Sequence, residues 1–410
     1  MTLEGLRCKE CGTDYPLEAL YVCDQCFGPL EVAYDYSGLD AESVKRRIQA
    51  GSNGIWRYAD FLPFEGRPAS SLEPGLTPLI RADRLAERLG VGEVWIKNDA
   101  ANPTHSFKDR VVAVALAKAL ELGFDTIACA STGNLANAVA AHAAAAGVES
   151  FVFVPADLEE QKLLATDVYG TTLVGVNGAY DDVNRLCTQL AEERGWAFVN
   201  VNLRPYYAEG SKTLAFETAE QLGWRLPTKV VCPIASGSLF TKIGRGFDEW
   251  RDLGLIEGDL PGFHGAQAAG CGPVATAFAA GHDVCRPVKP DTIAKSLAIG
   301  TPADGPYALD LARRTGGSVE SVGDDEIRAG IRLLAETTGV FTETAGGVTT
   351  ATLAKLAEAG EIGGDDSVVV YITGEGLKTL DAVREGFEMH EIEPTLESFA
   401  AAVGGPPALV

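Results

Sequence analysis

Short apolar runs, most of them five to seven residues long, recur through the middle of the chain at 94–97, 126–130, 150–154, 171–176, 197–200, 229–234, 262–267 and 367–373. Their lengths and their Val, Ile and Thr content predict strands. Between most of them lie stretches with apolar residues at helical spacing, rich in Ala and Leu, at 111–122, 135–146, 180–194, 209–222 and 327–338. Continuous apolar strands alternating with helices predict an α/β protein. Its sheets are expected to be mainly parallel, with helices covering both faces. Residues 36–75 read as a connector with one helix near 41–50, and Pro and Gly from 63 to 78 suit chain turning over a surface. The last residues, 400–410, read as a frayed end.

The first 35 residues have a different pattern. Cys8-x-x-Cys11 is followed after eleven residues by Cys23-x-x-Cys26. Two such knuckles brought together make a tetrahedral thiolate site of the structural Zn²⁺ kind, although the linker is slightly shorter than usual. Tyr15, Leu17, Leu20, Tyr21 and Val22 between them are expected to form a small hairpin. A unit this small needs a metal to hold together. Metal-free reduced thiols are the alternative. The other five cysteines are scattered, and Cys129 and Cys232 fall in apolar runs as core residues.

Composition narrows the function. The 410 residues suit two or three domains, and 46% hydrophobic with 22% charged residues suits a soluble protein with a sizeable core. A net charge of −23 argues against nucleic-acid binding, which needs a basic face. No run is long enough to span a membrane, and none near the N-terminus resembles a signal peptide, so a cytoplasmic location is expected.

In open parallel sheets, ligands bind where strand ends run into helices. Four such loops carry chemistry. The first is Asn102-Pro103-Thr104-His105-Ser106-Phe107-Lys108-Asp109-Arg110, which sets Lys108 at a loop-to-helix junction. A lysine there is a solvated cation, or, if desolvated or tied to a carbonyl, a neutral amine or a Schiff base. The second is Ser131-Thr132-Gly133-Asn134, whose hydroxyls and backbone N–H groups at a helix start suit a carboxylate or simply cap the helix. The third, Ala235-Ser236-Gly237-Ser238-Leu239-Phe240-Thr241, suits a phosphate but is neither a Walker loop nor a G-x-G-x-x-G turn. The fourth is Thr373-Gly374-Glu375-Gly376-Leu377-Lys378, which is otherwise a Gly-rich turn closing the sheet. One lysine, a carboxylate pocket, a phosphate pocket and a hydroxyl-bearing turn match pyridoxal phosphate with an amino acid better than they match a nucleotide.

These motifs, in this order and with Ala-Glu-Gly-Ser-Lys-Thr-Leu-Ala at 208–215, resemble the threonine synthases, of the fold-type II pyridoxal-phosphate enzymes, over nearly the whole chain. Some of those enzymes also carry paired Cys-x-x-Cys knuckles. The lysine and asparagine loops are shared with threonine dehydratases. The resemblance implies a smaller mobile domain at 101–204 and a larger one from 36–100 and 205–400, beside the unit at 1–35 and a tail at 401–410. It implies that Lys108 links to the cofactor and moves protons, and that Asn134 meets the ring oxygen. Ser236, Gly237, Ser238 and Leu239 would hold the cofactor phosphate, and Thr373 would meet the ring nitrogen. Ser131, Thr132 and Gly133 would bind the substrate carboxylate, and Arg204 and Lys212 the distal phosphate of O-phospho-L-homoserine. A homodimer is implied too. Leu135, Thr301 and the 202–207 segment depart from the pattern, which leaves the substrate-phosphate contacts open. An eliminating or replacing enzyme acting on serine, threonine or phosphoserine is the alternative chemistry. An inactive zinc-ribbon interaction protein is the alternative of another kind. His105 and Glu343 lie near these loops, and Glu343 either faces the cofactor ring or caps a helix.

Overall fold

A computed structural model describes residues 1–66, 70–131, 133–156, 160–178, 180–384 and 386–403. Among the described residues, thirteen strands form three sheets. In chain order they are β1 (Thr2–Cys8), β2 (Asp14–Tyr15), β3 (Leu30–Asp35), β4 (Leu79–Arg81), β5 (Glu93–Asn98), β6 (Thr126–Ala130) and β7 (Glu149–Pro155). Then come β8 (Thr172–Val176), β9 (Ala197–Phe198), β10 (Lys229–Pro233), β11 (Gly262–Ala268), β12 (Val319–Val322) and β13 (Ser367–Ile372).

The largest sheet has the order β12-β11-β10-β13-β5-β4. It is parallel except at β4, which pairs antiparallel with β5. Alternate residues of its strands face opposite ways. Val369 and Tyr371 pack with Phe216, Phe240 and Trp250 on one side. Val368, Val370 and Ile372 pack with Ile327, Val348 and Leu353 on the other. Burial on both faces is the reason these strands read as continuous apolar runs. The second sheet, β8-β7-β6-β9, is wholly parallel. It is covered on one side by the helices Lys108–Glu121 and Asn134–Ala146 and on the other by the helix Tyr180–Arg194.

Three sequence expectations are corrected. The single helix at 209–222 is two helices, Arg204–Glu209 and Lys212–Gln221. At their junction Gly210 lies against the Lys108–Glu121 helix, where a Cβ would sit 2.6 Å from the Arg110 carbonyl oxygen. The N-terminal hairpin is not built from the stretch between the knuckles. Its sheet, β2-β1-β3, comes mostly from the flanks at 2–8 and 30–35. Of the expected frayed end, residues up to 403 finish the helix Leu396–Val403, and 404–410 lie outside the described residues.

The N-terminal sheet packs onto the body. Leu6, Leu30 and Val32 are buried with Ala119, Leu203 and Tyr206. The Tyr34 hydroxyl donates to Glu209 at 2.7 Å, and Glu31 pairs with Lys242 at 3.0 Å. No helix among the described residues is long and apolar enough to cross a membrane.

Candidate active site

Strand order assembles the site. β10, β13 and β5 are parallel neighbours, so the loops leaving their carboxyl ends lie side by side. These are the Ser236 loop, the Thr373 loop and the Lys108 loop. Backbone hydrogen bonds stitch the last two together. The Phe107 N–H donates to the Thr373 carbonyl at 2.9 Å, and the Glu375 N–H to the His105 carbonyl at 3.1 Å. His105 takes φ +61°, a left-handed conformation that costs a non-glycine residue of order 1 kcal/mol or more. Two backbone bonds hold it there, the second from its own N–H to the Asn102 carbonyl at 2.8 Å.

Beneath this loop lies a buried ion network. Arg110 forks onto Asp99 at 2.6 and 2.8 Å and onto Glu217 at 2.6 and 2.7 Å. Lys97 also reaches Glu217, at 2.7 Å. Burial opposes ionisation of Glu217, but Arg110 and Lys97 outweigh it and hold the carboxyl down at about 2. Asp109 accepts from the Thr104 N–H and hydroxyl, both at 2.9 Å, and meets His142 Nε2 at 3.0 Å. The residues flanking Lys108 are thereby fixed from below.

Lys108 is the first residue of its helix. Its Nζ donates to the Tyr207 hydroxyl at 2.8 Å and lies 4.5 Å from the centre of the Phe107 ring. A half-buried amine between two aromatic rings is positioned and partly desolvated. Asn134 opens the next helix and comes to the same place. Its amide donates to Glu343 at 3.0 and 3.2 Å, while its oxygen accepts from Lys378 Nζ at 2.8 Å. Glu343 is buried, which pushes its carboxyl up. Of the two readings of Glu343, capping is not what its side chain does. The carboxylate turns to Asn134. A Cβ on Gly374 would sit 2.4 Å from it, so a larger residue there would push the carboxylate aside.

The Ser236 loop ends in a helix, Ser238–Asp252. Gly237 has φ +100°, and a Cβ there would also meet Asp304 at 2.9 Å. Among the described residues no side chain caps this helix, so its first N–H groups are open to an anion. The helix at Asn134 likewise has no side-chain cap among the described residues, and Ser131 and Gly133 lie at its mouth. Thr132 lies outside the described residues. Thr373 is buried at the end of β13. A poised amine, an amide, a hydroxyl and a glycine cradle at a helix start are the donor set that pyridoxal phosphate requires.

Comparison with known proteins agrees with this geometry. A profile of the pyridoxal-phosphate dependent enzyme family matches residues 70–374. The chain is 38% identical to the threonine synthase of Methanosarcina acetivorans, over 95% of each protein. It is 38% identical to that of Methanocaldococcus jannaschii, over 94% of this chain and 96% of the other. The chain belongs to the threonine synthase family.

Two solved structures share its α/β fold, that of the fold-type II pyridoxal-phosphate enzymes. A threonine deaminase from Solanum lycopersicum superposes with TM-score 0.63, at 20% identity, over 83% of this chain and 85% of the other. The diaminopropionate ammonia lyase of Escherichia coli gives 0.65, at 21%, over 84% and 92%.

Two residues expected at the substrate's distal phosphate are placed differently. Lys212 is fully buried. Its Nζ pairs with Glu209 at 2.6 Å and Glu249 at 2.9 Å, and lies over the Tyr34 ring. Arg204 is half-buried and holds Asp304 at 2.7 Å, beside Ser238 and Thr241. Sequence reasoning gave no role to Tyr207, and it named Lys378 only as part of the Thr373 turn. Tyr207 sits in the 202–207 segment, which joins the second sheet to the first.

The four N-terminal thiols do converge. All four Sγ atoms lie within 4.8 Å of one another, with Cys8 and Cys26 at 3.5 Å and Cys11 and Cys23 at 3.6 Å. Tetrahedral Zn–S bonds of about 2.3 Å put sulfurs roughly 3.8 Å apart, so the set is close to what zinc needs.

Proposed function

We propose that this protein converts O-phospho-L-homoserine and water into L-threonine and phosphate. The observation that carries the reading is the meeting of Lys108, Asn134 and the Thr373 loop beside an uncapped glycine-bearing helix start, in a chain of the threonine synthase family. Bound pyridoxal phosphate supplies the electron sink that makes the Cα and Cβ protons removable.

The chain's own residues supply the rest. Backbone N–H groups of Ser236, Gly237, Ser238 and Leu239 hold the cofactor phosphate. Thr373 offers its hydroxyl to the ring nitrogen, and Asn134 its amide to the ring oxygen. Lys378 and Glu343 keep that amide aimed. Ser131, Thr132 and Gly133 take the substrate carboxylate. The amine of Lys108, held in place by Tyr207, takes the Cα proton and then the Cβ proton. As phosphate leaves Cγ, a proton takes its place there, matching the one lost from Cβ. The oxygen of water then joins Cβ, its displaced proton ends on the released phosphate, and Cα regains the proton it gave up. Residues 101–204 act as a smaller domain that closes on the larger one, formed by 36–100 and 205–400, and excludes stray water.

Cys8, Cys11, Cys23 and Cys26 hold a structural zinc in a ribbon-like unit at 1–35. With four protein ligands, the ion has no open position for catalysis. We place the enzyme in the cytoplasm as a homodimer. The apolar side chains of Leu377, Leu380 and Phe387, all more than half exposed, support a self-association surface.

The test is a substrate panel of O-phosphohomoserine, serine, threonine and phosphoserine, read by phosphate, threonine and ammonia. Equal release of phosphate and threonine from the first is expected. Ammonia from serine or threonine, without turnover of O-phosphohomoserine, would replace this reading with a dehydratase.

A further inference from the structure

The tip of the first cysteine knuckle reaches the wall of the Ser236 loop. Lys9 and Glu10 lie between Cys8 and Cys11. Lys9 Nζ stands 3.5 Å from the centre of the Tyr307 ring, and the Glu10 carboxylate accepts the Tyr307 hydroxyl. Lys9 is itself held by Glu31 at 3.2 Å. Tyr307 is in the first turn of the helix Gly305–Arg314, whose N-cap is Asp304.

Asp304 is the floor of the loop. Its N–H donates to the Ser236 carbonyl at 2.8 Å, and its backbone and Cβ occupy the space beside Gly237. Its carboxylate holds Arg204, where the chain returns from the second sheet to the first. Lys9 also shares a small cavity with Arg204, Ser238, Thr241 and Asp304.

We infer that Lys9 and Glu10 are positioning residues for the Ser236–Leu239 loop, acting through Tyr307 and Asp304. The inference rests on reading that loop as the cofactor-phosphate cradle. Anion binding by backbone N–H groups depends on their being aimed before the anion arrives. The aim of this loop is set by Asp304, and the first turn that carries Asp304 is gripped from outside by the knuckle. The N-terminal unit therefore has a task beyond its own folding: it pins the phosphate end of the cofactor site.

The experiment uses full-length protein stripped of cofactor. Binding of pyridoxal phosphate and of pyridoxal, which lacks the phosphate, is read by visible absorbance. The variants are Lys9→Ala/Tyr307→Phe, which leaves every thiolate in place, and Gly237→Ala, which acts on the loop directly. In the double variant, affinity for pyridoxal phosphate is expected to fall about tenfold while that for pyridoxal stays within about twofold. If it does not fold, Tyr307→Phe alone carries the test, with about a threefold loss confined to the phosphate form. An unchanged Kd for pyridoxal phosphate, or equal weakening of both ligands, overturns the inference while the cradle stands. If Gly237→Ala leaves the preference for the phosphate form intact, the cradle reading falls and the inference with it.

Discussion

Tyr207 Oη lies 2.8 Å from Lys108 Nζ and accepts its hydrogen bond. The two residues come from different helices, one opening at Lys108 and the other running from Arg204 to Glu209. The tyrosine therefore fixes where the amine points. Tyr207→Phe keeps the ring and removes that acceptor. Turnover is expected to fall by about tenfold to a hundredfold, with the cofactor still bound and yellow. Steady-state kinetics beside an absorbance spectrum check this. Unchanged kcat would show that the contact has no part in the chemistry.

The Arg110–Glu217–Lys97 network holds the lysine loop from below, and all three residues are fully buried. Glu217→Gln leaves buried Lys97 without its carboxylate and Arg110 with Asp99 alone, and is expected to cost roughly 3 kcal/mol of stability. Denaturant melts measure it. The depressed Glu217 carboxyl also has a pH signature. Its contribution is complete above the unfolded carboxylate range and is lost as pH falls from about 4.5 towards about 2. The variant should lack that part of the acid transition.

Glu343 carries the opposite sign. Burial raises its folded-state pKa, with Asn134, Lys378 and Lys108 pulling it partly back. Its contribution to stability is therefore full below the unfolded carboxylate range and is lost as pH rises through the raised value. Glu343→Gln does not titrate. Its stability relative to the parent should improve as pH rises from about 4 to about 8. Melting curves at the two pH values decide it, and a difference independent of pH would contradict the assignment.

Metal analysis is expected to find one zinc per chain, released only when the thiolates are lost. Cys11→Ser/Cys26→Ser should remove it and lower the melting temperature, because the small sheet has little core of its own. Metal-free protein of undiminished stability would return these residues to plain thiols.

The large parallel sheet and its loops were legible because buried strands read as unbroken apolar runs, and the strand-end loops follow from them. The N-terminal sheet was not. Gly5 sits at a register shift between β1 and β3 and breaks the alternation that marks a half-buried strand. β12, Val-Glu-Ser-Val, is too short and too polar to announce itself. Lys212 shows the limit at the site. A lysine in a family motif looks like a phosphate ligand, and its partner Glu249, far along the chain, cannot be seen in sequence. Asn134 shows the reverse case, since its place at a strand-to-helix loop sets it beside the Thr373 turn, in reach of Lys378.

The most direct measurement is single-enzyme turnover of O-phospho-L-homoserine by the holoprotein, with phosphate and threonine counted together. The account predicts equal amounts of the two products, and loss of both in Lys108→Ala. Cofactor-loaded protein that releases neither product from this substrate would contradict it.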